Sequence, residues 1–94
     1  MVSSHIRRYL NNHGIEVFAL VSVEPKAMMD SVERMLMRIK EVERIVEVLG
    51  PYEILVKFRF KSSNEASLIL DKISEIKGVK ECLVLFVTKN IFEK

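Results

Sequence analysis

The chain has 94 residues and a mass of 10.9 kDa, room for one small domain that hides about 65% of its extended surface on folding. Apolar residues make up 49% and charged residues 30%, with 15 Lys and Arg against 13 Asp and Glu; this excludes a disordered chain and a charge-driven nucleic-acid binder. The single cysteine, Cys82, excludes an internal disulfide framework and a cysteine-rich zinc site.

No run approaches the roughly 18 apolar residues of a membrane helix. The first residues lack the apolar stretch and cleavage site of a signal peptide, so a cytoplasmic location is expected. Residues 1–14 stand outside the core pattern. Ile6, Tyr9 and Leu10 have helical spacing and Gly14 would stop such a helix, but a helix that short needs something to dock on.

Ile15 to Val23, rich in β-branched and aromatic residues, predicts a first strand. Glu24-Pro25-Lys26 then changes the apolar period, and Met28, Val32, Met35, Leu36 and Ile39 form one stripe of a helix over Lys26 to Lys40. Glu43 to Leu49 predicts the second strand and Tyr52 to Phe60 the third, with Gly50-Pro51 between them. In the third strand Tyr52, Ile54, Val56, Phe58 and Phe60 share the core face. Ser62 and Glu65 have capping-box spacing, and Ala66, Ile69, Leu70, Ile73 and Ile76 stripe the helix that follows. Gly78 ends it, and Lys80 to Thr88 predicts the fourth strand. The domain is therefore expected over 15–88, with 89–94 as a tail carrying the apolar Ile91 and Phe92.

The order strand, helix, strand, strand, helix, strand predicts an α+β, ferredoxin-like split βαβ fold. Its four-stranded antiparallel sheet takes the order 4-1-3-2, with both helices on one face. The halves echo each other: Ile39-Lys40-Glu41-Val42 aligns with Ile76-Lys77-Gly78-Val79, and Leu20-Val21-Ser22-Val23 with Leu55-Val56-Lys57-Phe58.

The sheet face without helices should be polar. Glu53, Lys57 and Arg59 obey, but the first and fourth strands do not. Val17, Ala19, Val21 and Val23 oppose Phe18 and Leu20, while Cys82, Val84 and Phe86 oppose Leu83, Leu85 and Val87. Whichever set meets the helices, the other stays apolar. Val17, Ala19, Val21, Val23, Cys82, Val84 and Phe86 are taken as the expected oligomer interface of a two-fold homodimer. The alternative is that one end of the chain covers this surface.

No catalytic constellation is legible. His5 and His13 lie in the N-terminal segment, Cys82 lies inside a strand, and the glycines are scattered singly. No catalytic residue, metal or cofactor is expected. Glu43 and Glu47 share a strand face but have no acid–base context. Arg34, Arg38 and Lys40 form a basic patch interrupted by Asp30, Glu33 and Glu41, so no direct nucleic-acid contact is expected. The local feature that stands out is Gly50-Pro51-Tyr52-Glu53. A backbone N–H at Gly50 and the Glu53 carboxylate suit the two ends of a small zwitterion, and a rigid hairpin turn accounts for the same residues.

The run Val21-Ser22-Val23-Glu24-Pro25, the turn Gly50-Pro51-Tyr52-Glu53 and Ile76-Lys77-Gly78-Val79 together resemble the effector-binding domain of the Lrp/AsnC transcriptional regulators. The resemblance spans Ile15 to Thr88. It implies a ferredoxin-like domain that dimerises through its sheets, assembles further into octamers of four dimers, and binds amino-acid effectors near the glycine turn. Gly50 matches the family's turn glycine, Tyr52 a hydrophobic or aromatic position, and Glu53 a position usually held by Asp. The family's DNA-binding half has no counterpart in the fourteen residues before Ile15. The resemblance thus implies a stand-alone effector-binding and oligomerisation module, partnered by itself or by full-length regulators. A purely structural oligomeric protein and a small ferredoxin-like dimeric enzyme are the alternatives.

Overall fold

Residues 14–94 are described by a computed structural model; the helical turns expected within 1–13, and both histidines, lie outside them. The alternating β-branched sequence makes Ile15–Val23 the first strand, β1. A 3-10 turn at Lys26–Met28 follows, and only then the helix α1, Met29–Met37. The helix is shorter than the apolar stripe suggested. Val32 and Leu36 are wholly buried and Ile39 nearly so, while Met35 on the same stripe is exposed. β2 runs Val42–Glu47 and β3 Ile54–Phe60, leaving a six-residue turn, 48–53, where a tight Gly-Pro turn was expected. α2, Ser63–Ser74, begins at the predicted cap: Ser62 Oγ accepts from the Glu65 N–H at 3.2 Å and Glu65 Oε1 accepts from the Lys61 N–H at 2.7 Å. β4, Val79–Phe86, completes the chain of elements.

The strands form one antiparallel sheet ordered β2-β3-β1-β4, the topology the sequence predicts. Ala66, Ile69 and Ile73 from α2, Ile76 just past its end, and Val32, Leu36 and Ile39 from around α1 close over one face. Gly78 makes this closure possible. Its φ is +105°, and a Cβ there would stand 2.8 Å from Met28 Cβ and 2.9 Å from Val32 Cγ2. The turn after α2 thus lies directly on the start of α1, held by Glu24 N–H donating to the Gly78 carbonyl at 2.9 Å.

The helices cover Val17, Ala19, Val21 and Val23, which are 0–3% exposed. This corrects the interface expected from sequence, since these four side chains are core. Register supplies the reason: Val17 pairs with Phe58 and Phe86, Ala19 with Val56 and Val84, and Val21 with Ile54 and Cys82, and paired residues share a face. Cys82 and Val84 are therefore half-buried against the core edge, and Phe86 meets Phe60 edge-on at 5.8 Å.

The open face carries the other parity. Val46, Leu55, Leu20 and Leu83 form a row across all four strands, and Arg44, Lys57, Phe18 and Leu85 form the next. Beyond them is a closed charge network. Lys57 Nζ lies 2.9 Å from Glu16, Arg59 Nε lies 2.9 Å from Glu43, and the crossed pairs lie at 3.8 and 3.9 Å. Glu43 reaches this face because the β2–β3 register shifts between Val42 and Arg44. That bulge separates Glu43 from Glu47, which sequence alternation had put on one face; Glu47 pairs with Ile54 on the helix side.

Candidate functional site

The turn 48–53 joins β2 to β3, and its exposed tip is Leu49-Gly50-Pro51. Val48 N–H donates to the Glu53 carbonyl at 2.9 Å and Glu53 N–H to the Val21 carbonyl at 3.0 Å, so both stems of the turn are bound to the sheet. Leu49 projects fully into solvent. A Cβ at Gly50 would meet nothing within 4 Å, and its φ is not positive. The chain's own packing therefore places no demand for glycine at 50. Tyr52 is half-buried beside it.

Glu53 is committed to the fold. Its Oε1 accepts the Val23 N–H at 2.7 Å and its Oε2 lies 3.1 Å from Lys26 Nζ. The backbone N–H of Val23, and then Lys26, hold its carboxyl below the usual carboxylate range. It clamps the turn to the end of β1, and Lys80–Glu24 at 3.4 Å adds a second ion pair at that end. The ammonium that the Glu53 carboxylate meets within the chain is that of Lys26. Its signal in the sequence is faint: a lysine after Glu24-Pro25, with no local reason to face residue 53. Ser22, on β1, has a shielded Oγ without a hydrogen-bond partner.

A second group sits at the other stem of the same turn. Glu33 on α1 and Glu47 at the end of β2 line a cavity of about 220 Å³ with Met37 and Ile45. The hydrogen bond to Glu47, then burial, then the negative charges of Glu47 and Asp30 push the Glu33 carboxyl up to about 7. Glu33 therefore keeps its proton up to near neutral pH, and its Oε2 is shielded without a hydrogen-bond partner. Among the described residues no three His, Cys, Asp or Glu side chains converge as a metal site. Burial raises the Cys82 thiol, which weighs against a thiolate there. No helix among the described residues is long and apolar enough to cross a membrane.

Two helices on one face of a βαββαβ sheet, with the β2–β3 turn presented at its edge, define a ferredoxin-like domain. The chain belongs to the Lrp/AsnC ligand binding domain family, whose sequence model matches residues 16–94. Escherichia coli AsnC superposes with a TM-score of 0.80 at 20% identity, over 100% of this chain and 61% of that one. A transcriptional regulator from Neisseria meningitidis, solved as its L-methionine complex, superposes with a TM-score of 0.79 at 23% identity, over 99% of this chain and 59% of that one. The homocitrate synthase of Saccharolobus islandicus is 36% identical over 77 residues, 82% of this chain. The chain spans only 17% of that enzyme's length.

Proposed function

We propose that this chain is a non-catalytic module that binds a small amino-acid effector at the turn 48–53 and relays it through self-association. The observation that carries this reading is Gly50. It sits at an exposed tip, held at both stems, where nothing in the chain's own packing requires a glycine. A site that must admit a ligand backbone, or a second subunit, at close range supplies the missing reason. Glu53 acts as the positioning residue that fixes the turn to β1 through Val23 and Lys26. The neighbouring fold solved with L-methionine supports the class of ligand. Self-association rests on the open face, where the apolar row Val46–Leu55–Leu20–Leu83 meets no helix, and a two-fold dimer through this face is the simplest cover. Ligand binding then shifts assembly only to the extent that it favours one oligomer over another.

Calorimetric titration with each of the twenty amino acids tests the reading. At least one should bind, and Gly50→Val should weaken it at least tenfold with the fold retained. Absence of binding across the panel overturns it in favour of a purely structural oligomer.

A second reading has its own observation. Homocitrate synthases carry a 36% identical stretch as a small fraction of their length, so the module also suits control of an enzyme rather than of transcription. Cross-linking in cell extract separates the two by the partner recovered, a DNA-binding regulator or a metabolic enzyme.

A further inference from the structure

Beyond β4 the chain continues as an arm, 87–94, without regular structure. Val87 N–H still donates to the Glu16 carbonyl at 2.9 Å, and past that bond the arm leaves the sheet. Ile91 and Phe92 on it are 79% and 78% exposed. They continue a trail of apolar side chains along the β4 edge, with Leu83 at 43%, Leu85 at 49% and Phe86 at 49%. Half of the exposed large apolar side chains among the described residues therefore lie between positions 83 and 92.

We propose that in the dimer each copy's C-terminal arm crosses to the second copy and closes over the rim of its open sheet face, burying Ile91 and Phe92 there. The proposal rests on the reading that the open face is the dimer surface, and goes beyond it in assigning the arm.

Reach and exposure support it. Ile91 and Phe92 lie four and five residues past the last bond to the sheet. At about 3.3 Å per residue they reach at most about 13–16 Å, more than the roughly 10 Å that separates face-packed sheets. An arm of this length spans the gap. The arm's one side-chain hydrogen bond, Asn90 Nδ2 donating to Glu93 Oε1 at 2.9 Å, stays within the arm, and both apolar side chains stand in solvent rather than over the chain's own face. The charge network at that end of the face is closed within one chain, so an apolar arm can lie beside it without stranding a lone charge.

Sedimentation of the full chain from nanomolar to micromolar concentration, with Ile91→Ser/Phe92→Ser and Leu85→Lys variants, tests both layers. The wild type should be a dimer, the arm variant should dissociate at least 30-fold more readily, and Leu85→Lys should be monomeric. A nitroxide on Asn90→Cys, in a Cys82→Ser background, mixed with isotope-labelled wild type, should broaden open-face amides of the labelled copy. A dimer that loses nothing in the arm variant but falls apart with Leu85→Lys overturns the arm exchange and leaves the face reading standing. Open-face amides of the isotope-labelled copy that stay sharp in the mixed dimer also overturn the exchange. A monomeric wild type overturns both.

Discussion

Replacing Glu47 by Gln removes one partner from the carboxyl pair that ties β2 to α1, and its effect should depend on pH with a definite sign. Glu33 is raised from 4.5 to about 7 in the folded chain, so between those values the native state holds a proton that the unfolded state has lost. Stability therefore falls as pH rises from about 4.5 through about 7, and levels off above. Fully shielded, a shift of this size is worth about 3 kcal/mol. Glu33 is only half-buried and Glu47 is exposed, and screening at ordinary salt reduces this to about 1 kcal/mol. In Glu47→Gln the amide donates to the Glu33 carboxylate and the like charge is gone. Asp30 on α1 is then the remaining charge named against Glu33. Urea unfolding at pH 5, 6, 7 and 8 should show the variant equal to wild type at pH 5 and about 1 kcal/mol more stable at pH 8. That gain corresponds to a midpoint temperature about 4–8 °C higher for a domain of this size. Parallel pH profiles for the two proteins would refute the upward shift of Glu33 by Glu47.

Three further outcomes follow from single contacts. Gly78→Ala forces a side chain into a left-handed backbone and against Met28 and Val32, and should cost about 2–4 kcal/mol in denaturant unfolding. Gly50→Ala meets open space and should leave stability within about 0.5 kcal/mol of wild type. Glu53→Gln should act in acid, opposite in sign to Glu47→Gln. The Glu53 carboxyl is held down in the folded chain by Val23 N–H and Lys26, so its contribution is present above about pH 4.5 and lost as pH falls. The variant's pH profile should be flatter on that acid limb, as read by thermal melting.

The element order was legible because each element carries its own period. β1 was read to its observed limits at Ile15 and Val23, and the Ser62–Glu65 cap fixed the start of α2, since both signals lie within a few residues of chain. Boundaries suffered where a local signal had a competitor. Gly50-Pro51 predicts a tight turn, yet the bonds of Val48 and Glu53 spread the turn over 48–53. Met35 lies on the apolar stripe and inside α1, yet it is 41% exposed, because how far the sheet and the second helix extend over the stripe is not a local property.

By itself the sequence determined a split βαβ sheet with two apolar faces, because alternation and helical spacing are local and survive without a partner strand. It could not say which face of β1 meets the helices, since Val17, Ala19, Val21 and Val23 and the opposing Phe18 and Leu20 are all apolar. Register against β3 and β4 decided that, by putting the first set beside the buried Phe58, Val56 and Ile54. The same holds at the turn. Glu53 finds Val23 and Lys26, and Glu33 comes to line one cavity with Glu47, across separations that only the closed sheet and its helix bring together, where charge and protonation are then set by whatever neighbour the fold delivers.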